Sequence, residues 1–262
     1  MKTKYYIKEF KNSNDDIGRY YSIKLFFPDI LGQNSKNVKK FTLYQILNYL
    51  IACLKDPDRW LEIEAMDAIG YFNDSNGTKP IISHLEDKDI IVQAITACIL
   101  GYLADPQSVE PLINSLKEKN SIVRREAVIA LGKMGDIRAI EPLIACLRDC
   151  DTSIRRVAAE ALGNFKDARV FDPLINCLED PNYTVRANAA FSLGQVGDIR
   201  AVEFLIHCLK DLEVLVRMKA ALALGNLKSP NAIDPLIRCL KDNDRRVQDM
   251  ARLALNELKK DD

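Results

Sequence analysis

A period of 31 residues runs through most of this 262-residue chain and limits the folds open to it. Glycine recurs at this interval at Gly70, Gly101, Gly132, Gly163, Gly194 and Gly225. Leucine recurs at Leu54, Leu85, Leu116, Leu147, Leu178, Leu209 and Leu240, and proline at Pro80, Pro111, Pro142, Pro173 and Pro235. Tyr49 and Phe204 fill the two positions where proline is missing. Three residue types in one phase across seven units predict tandem repeats of a single supersecondary unit.

Each unit is predicted to contain two amphipathic helices. In residues 135–166, apolar side chains recur in two groups at the three- and four-residue spacing of a helix face. Asp136 is placed to cap the first helix, and Asp151 or Thr152 to cap the second. Pro142 either opens the main part of the first helix or kinks its early turns.

Helix pairs this short bury their apolar faces only by stacking on one another. The sequence therefore predicts an all-α fold, a right-handed α-α superhelical solenoid of about seven 31-residue repeats over residues 43–262. The first helices are expected on the convex outside and the second helices on the concave inside. Gly163, near the end of a second helix, allows either close packing or a left-handed terminus. Small residues share one position in the second helices, which predicts close packing there: Ala158, Ala189, Ala220 and Ala251.

The two ends of the chain depart from the repeat. Residues 1–42 are out of register and are predicted to form an N-terminal helical cap on the first repeat. Within them, residues 17–27 are predicted to form an apolar helix that ends at Pro28. The last unit is polar at its end, as the terminal unit of a solenoid must be, at Arg245, Arg246, Gln248, Asp249 and Arg252.

Composition narrows the class of function. The chain has 37 basic and 37 acidic residues and is 48% hydrophobic, which excludes a disordered chain and argues against nucleic-acid binding by bulk electrostatics. The N-terminus lacks the apolar core of a signal peptide, and no apolar run is long enough to predict a membrane span. Seven cysteines fit a reducing compartment. We therefore expect a cytoplasmic protein, or a stromal one if the source is an alga.

One stretch of the repeat carries a family resemblance. Apart from Ser192 in place of an alanine, it follows the pattern V-R-x-x-A-A-x-A-L-G-x-x-G-D-x-R-A-V, at Val185, Arg186, Ala189, Ala190, Leu193, Gly194, Gly197, Asp198, Arg200, Ala201 and Val202. This pattern resembles the short HEAT-like repeats of the phycobilin lyase family. The resemblance extends over roughly four-fifths of the chain, because the units share the same positions.

The resemblance implies a function in pigment attachment. A member of this family would bind a linear tetrapyrrole (a bilin) and present it to a cysteine of a phycobiliprotein. Its partners would be a phycobiliprotein subunit or a second lyase subunit. The acceptor thiol belongs to the substrate protein, so no nucleophile and no required cofactor is expected in this chain.

The periodic arginines Arg124, Arg155, Arg186 and Arg217 have two interpretations. They could form a basic track for propionates or phosphates, because the guanidinium fork suits both anions. The favoured alternative is that they pair between repeats with aspartates on the same period, at Asp149, Asp180, Asp211 and Asp242. Arg125 and Arg156 are additional to this series and make the middle of the solenoid locally more basic.

Cysteine and histidine provide no catalytic or metal site. Cys53, Cys146, Cys177, Cys208 and Cys239 share one position, but stacked helices lie about 8–10 Å apart, which is too far for a disulfide. We expect these to be small buried packing residues. The only histidines are His84 and His207, and neither precedes the glutamate found in the iron-binding HEAT-like deoxyhypusine hydroxylases. Whether the chain is an enzyme stays open; if it is, the resemblance makes it a bilin lyase subunit.

The candidate binding residues come from an excess of apolar side chains on the second helices. Positions that are polar in some units carry Tyr183, Phe191, Leu215, Met218 and Leu222. Either these side chains are exposed, or the rotation of the helices buries several of them. If exposed, they form a concave groove beside Arg155, Arg156 and Arg186 that suits a planar, doubly carboxylated bilin or a helix of a partner protein.

Two further functional hypotheses stand beside this one. The first is a general protein–protein interaction scaffold with no small-molecule ligand, which needs nothing beyond the solenoid. The second is a nucleic-acid enzyme of the HEAT-like alkylpurine glycosylase type, which the zero net charge disfavours.

Overall fold

A computed structural model describes residues 81–88 and 90–258 of the chain. Helices make up all of the regular structure in these residues, which confirms the predicted all-α class. Eleven α-helices follow one another in the described ranges: α1 Ile90–Leu103, α2 Val109–Ser115, α3 Ser121–Met134, α4 Ile140–Cys146, α5 Thr152–Leu162, α6 Phe171–Cys177, α7 Tyr183–Val196, α8 Val202–Cys208, α9 Val214–Leu227, α10 Ile233–Cys239 and α11 Arg245–Leu258. Short helices (even numbers) alternate with long helices (odd numbers).

Short 3₁₀ turns lead into the short helices and change the role of two predicted signals. The Oδ1 atom of Asp136 accepts the backbone N–H of Arg138 at 3.0 Å, so Asp136 caps the turn Ile137–Ala139 rather than α4 itself. Pro142 is the third residue of α4, where a helix leaves the backbone N–H unbonded in any case. Pro142 therefore belongs to the opening turn and does not kink the helix.

The helices stack in tandem as an α-solenoid. Each long helix contacts the long helix of the next unit and the short helix of its own unit. One continuous apolar core runs along the stack, and its central leucines are fully buried in unit after unit, at Leu131, Leu162, Leu193 and Leu224. No helix in the described ranges is both long and apolar enough to cross a membrane.

Close packing explains most of the periodic glycines. A Cβ atom added to Gly132 would lie 2.5 Å from the Cβ atom of Ala161 in the next long helix. Gly101, Gly194 and Gly225 meet the equivalent alanines in the same way. The left-handed helix ends fall instead three residues later, at Gly135 and Gly197, with φ of 64° and 82°. The alanine series that begins at Ala158 is fully buried, as its predicted close packing requires. The alanines that contact the glycines, however, lie three positions further along each helix.

The ends of the solenoid are only partly described. The predicted N-terminal cap, residues 1–42, and the repeats up to residue 80 lie outside the described residues. At the other end α11 is polar on its outer side, as predicted, and Arg252 is exposed. The short helix α10 differs from that prediction, because Ile233 and Ile237 are 39% and 48% exposed.

Candidate functional site

An arginine near the start of a long helix reaches across to the next unit. In α5, Nε and Nη2 of Arg155 donate to the carboxylate of Asp180 at 2.8 and 3.2 Å. Arg186 in α7 makes the same two-point contact with Asp211 at 2.8 and 2.9 Å. The pairs Arg124–Asp149 and Arg217–Asp242 repeat the geometry. These four pairs, here called the ion-pair ladder, confirm the prediction that periodic arginines join neighbouring repeats.

The ladder occupies the donors that a ligand would need. Nη1 of Arg155 also donates to the carbonyl oxygens of Asp149 and Cys150, at 3.0 and 3.4 Å, and Nη2 donates to Thr152 at 3.3 Å. Desolvation raises the pKa of Asp180, but the hydrogen bonds that its carboxylate accepts, foremost from Arg155, lower it by more, so the carboxylate stays ionised at neutral pH. A ligand carboxylate at Arg155 would have to displace this partner. The geometry therefore favours stacking over ligand binding for Arg155, and for Arg186 by the same contacts.

Arg156 lies on the outward side of α5 in a polar environment. Its Nη1 atom lies 3.5 Å from Oε2 of Glu160 one turn later, and its side chain is 38% exposed. The amide of Asn188 in α7 donates to the same glutamate oxygen at 3.1 Å. Glu160 thus balances the charge of Arg156 on the surface of α5, and Arg156 is not part of the ion-pair ladder.

An apolar row begins on the next long helix. The position of Glu160 in α5 is taken by Phe191 in α7, Leu222 in α9 and Leu253 in α11. Leu215, near the start of α9, is 37% exposed and Leu253 is 52% exposed. These four apolar residues, Phe191, Leu215, Leu222 and Leu253, are here called the apolar strip. Ile129 has the same position in α3, so the polar residue of α5 separates that helix from the apolar row on α7, α9 and α11.

Three other side chains lie on α7 and α9, two of the helices that carry the strip. Nζ of Lys219 lies 4.2 Å from the centre of the Phe191 ring, within the range of a cation–π contact. Tyr183 is 41% exposed at the start of α7. Met218 packs partly against the core, so for this residue helix rotation removes much of the predicted exposure.

Sequence reasoning missed two members of this region and one groove elsewhere. The sequence could have identified Leu253, because it continues the 31-residue series past Leu222. It could have identified Lys219 as the residue next to Met218. The groove lies between the short helices α6 and α8, has a volume of about 470 Å³ and is lined in part by Ile175, Phe204 and His207. Its signal in the sequence was Phe204 in a proline position.

The predicted packing role of the periodic cysteines is confirmed for the described members, Cys146, Cys177, Cys208 and Cys239, which are all buried. Burial raises the pKa of the Cys146, Cys177 and Cys208 thiols to about 11, so these thiols stay protonated at neutral pH. Cys53 lies outside the described residues. Within residues 81–88 and 90–258, no group of three or more His, Cys, Asp or Glu side chains is placed to hold a metal ion.

Comparison with a protein-family model agrees with this stack of helix pairs. The model of HEAT repeats matches residues 78–163, 140–215 and 171–256, which together span more than half of the chain. The chain belongs to the HEAT-repeat family. No curated protein matches this HEAT-repeat protein.

Solved structures resemble this HEAT-repeat protein at modest identity. A chain from the complex of CpcE and CpcF of phycocyanin lyase, from Nostoc sp. PCC7120, is 26% identical, with a TM-score of 0.56 over 69% of this chain and 75% of that one. The Escherichia coli protein YIBA_ECOLI is 21% identical, with a TM-score of 0.56 over 87% of this chain and 98% of that one. An engineered protein, target OR497, is 21% identical, with a TM-score of 0.55 over 97% of this chain and 77% of that one. The last two show the fold alone.

Proposed function

We propose that this HEAT-repeat protein is a binding subunit that holds a partner protein on the outward face of its long helices. The observation that carries the proposal is the apolar strip, because three successive units place Phe191, Leu222 and Leu253 where α5 has Glu160. An apolar row of this kind marks a surface made to be covered. The short helix of a partner, lying across α7, α9 and α11, would meet these side chains at regular intervals.

The close spacing of the long helices supports this choice of face. The glycines bring the backbones of successive long helices into direct contact, since Gly194 leaves no room for a Cβ atom beside Ala223. The row of helices with the closer spacing lies on the inside of a curved stack. On this basis we take the long helices as the concave face and the apolar strip as part of its groove.

The proposed class of partner rests on similarity. The structure of the CpcE–CpcF complex contains a chain that is 26% identical to this one. By that likeness we assign the partner as a phycobiliprotein subunit or a second lyase subunit. In this role the chain positions its partner, and it needs no nucleophile of its own.

A bilin ligand is the second candidate, and Lys219 favours it. The Phe191 ring offers a flat apolar wall, and the Lys219 ammonium group lies 4.2 Å from its centre. That cation can meet a propionate without breaking the ion-pair ladder, whereas Arg155 and Arg186 cannot. A bilin on this wall would displace the Lys219 ammonium group from the face of Phe191, stack its rings there and pair one carboxylate with that lysine.

Titration calorimetry with apo-phycocyanin as the probe tests the main proposal. The variant Phe191→Ser with Leu222→Ser should lose most of the binding, because it removes two neighbouring members of the strip. The matched control is Ile137→Ser with Leu212→Ser, which changes residues 68% and 94% exposed outside the long helices. The control should bind like the wild type. Equal affinity of the strip variant and the control would refute the site.

The visible spectrum separates the second candidate. A linear bilin titrated into the wild-type protein should give a saturable spectral shift at one bilin per chain if the Phe191 wall binds it. Lys219→Gln should then weaken the binding, while Lys241→Gln, beyond the end of the short helix α10, should not. No spectral shift with the wild type would rule out the bilin candidate, and protein binding would then be the one proposed role.

A further inference from the structure

The short helix α10 exposes an isoleucine at a position that the repeat normally buries. Ile233 is 39% exposed, whereas the equivalent Ile140, Phe171 and Val202 are 0%, 5% and 4% exposed. In the units of Ile140 and Val202, the short helix contacts the 3₁₀ turn of the next unit. Ile237, one turn after Ile233, is 48% exposed. At α10 no described residue supplies the cover, so an apolar edge two helical turns long remains.

An acidic residue lies along the same edge without the arginine that some earlier units provide. In two earlier units an arginine of the next unit approaches the acidic residue at the second position of the short helix: Glu110 by Arg138 at 3.9 Å, and Glu141 by Arg169 at 3.7 Å. The unit before α10 already lacks this arginine, because an asparagine stands at the same interval after Glu203. Asp234 has this position in α10 and is exposed. The residue at the matching interval in the sequence is an aspartate rather than an arginine. The repeat therefore supplies no cation for Asp234 at this interval.

α10 also carries an arginine at a position where the preceding short helices have none. Arg238 stands where Ala145, Asn176 and His207 stand in the preceding units. It is exposed and lies one turn after Asp234. Two apolar residues one turn apart and two opposite charges one turn apart thus share α10. This arrangement is self-complementary for two copies of α10 that run antiparallel.

The long helix beside α10 carries an exposed arginine at a position that earlier long helices bury. Arg252 in α11 takes a position that is buried in earlier long helices as Val128, Ala159, Ala190 and Ala221. Its side chain is 55% exposed and pairs with Asp249 at 2.6 Å. A complete helix pair stacked on this end would have to bury that arginine. A partner at this end of the stack fits if it contacts α10 and leaves Arg252 of α11 in water.

We infer that the exposed edge of α10 binds the α10 edge of a second copy of this chain around a two-fold axis. Ile233 and Ile237 then pack against Ile237 and Ile233 of the second copy. Asp234 faces Arg238 of the second copy, and this contact occurs twice. The surface is separate from the apolar strip on the long helices and does not depend on the proposed function.

Sedimentation equilibrium of the full chain over a range of concentrations tests the inference. The wild type should approach twice 29.6 kDa as the concentration rises. Asp234→Arg and Arg238→Asp, each alone, place like charges in both contacts and should weaken the dimer about tenfold or more. Ile237→Glu should leave a monomer. Asp172→Arg, the same change at the equivalent position of α6, is the matched control and should dimerise like the wild type.

Mixing the two single variants gives the sharpest result. The chain with Asp234→Arg has two basic residues on the α10 edge, and the chain with Arg238→Asp has two acidic ones. Each chain repels its own kind and complements the other, so a heterodimer should form at the wild-type affinity. Circular dichroism of each variant shows that it is folded. A wild type that stays at 29.6 kDa at every concentration would overturn the inference. So would single variants that still dimerise, or a mixture that stays monomeric.

Discussion

Replacing Gly132 with alanine tests how closely the long helices approach one another. In an exposed helix this change stabilises by about 1 kcal/mol, because alanine has the higher helix propensity. Here the new methyl group would lie 2.5 Å from Cβ and 3.0 Å from Cα of Ala161. An ordinary contact is about 3.5–4.0 Å, so α3 and α5 must separate by roughly 1 Å.

The expected magnitude follows from these opposing effects. Overpacking against a helix backbone costs about 3 kcal/mol, the upper part of its usual range, and the propensity gain offsets about 1 kcal/mol. Gly132→Ala should therefore destabilise by about 2 kcal/mol. Ala161→Gly alone should cost about 1 kcal/mol in propensity. The double variant removes the shortest contact and should cost only about 1 kcal/mol, which is a coupling of about 2 kcal/mol.

Urea unfolding followed by circular dichroism measures these values. The matched control is Asn256→Ala, because Asn256 holds the glycine position in α11, where no further helix comes next in the described residues. That change should stabilise by about 0.5 kcal/mol, since only propensity acts. A neutral or stabilising Gly132→Ala, or additive single changes in the double variant, would refute the packing argument.

Three further outcomes are expected. Arg155→Met should cost about 3 kcal/mol at pH 7, because the largely buried carboxylate of Asp180 loses its guanidinium partner and keeps only the N–H of Asn182. The pKa of Asp180 is lowered in the folded protein, so the pair stabilises the fold above about pH 4 and loses this effect as the pH falls through the folded pKa. Urea unfolding at about pH 3 should therefore show a smaller cost of Arg155→Met than at pH 7. Iodoacetamide at about pH 8 should label exposed Cys150 well before buried Cys208, whose thiol has a pKa of about 11. Equal labelling rates by mass spectrometry would contradict the packing role of Cys208. Glu213→Asn should stabilise by about 1 kcal/mol in urea, because Glu213 makes no side-chain hydrogen bond at the start of α9 whereas asparagine can; no gain would contradict the capping assignment.

The period predicted the fold and the contacts between repeats. Arg155 and Asp180 recur at fixed positions in successive units, so their pairing followed once stacking was inferred. The glycines remained ambiguous, because glycine serves both close packing and left-handed ends. The structure separates the two roles, placing Gly132 against Ala161 and the left-handed residue at Gly135.

Helix ends were harder to predict from residue type. Lys228 ends α9 in the left-handed conformation, with φ of 50°, although it is not a glycine. Lys166 holds the equivalent position after α5, yet that helix already ends at Leu162. Lysine at this repeat position thus ends one helix and lies beyond the end of the other, so the residue type alone does not predict where the helix ends.

The candidate site was predicted in part. The pattern identified Phe191, Leu215 and Leu222 as apolar where other units are polar, and their exposure or partial burial on the long helices keeps them as candidates. It could not show that Arg155 would be fully engaged by Asp180, because a sequence position does not reveal how many donors a guanidinium has left. The exposure of α10 was equally hidden, because it depends on the neighbouring helices in space and not on the residues of α10 alone.

A lysine-labelling footprint tests the central claim, that partners bind over the apolar strip, most directly. Apo-phycocyanin is added to saturation, the complex is treated briefly with an acetylating reagent, and each lysine is quantified by mass spectrometry. Lys219, whose ammonium group lies over the Phe191 ring, should become protected, while Lys210 in the groove between α6 and α8 should react as before. Saturated binding that leaves Lys219 fully reactive and protects Lys210 would contradict the claim and place the partner on the short helices.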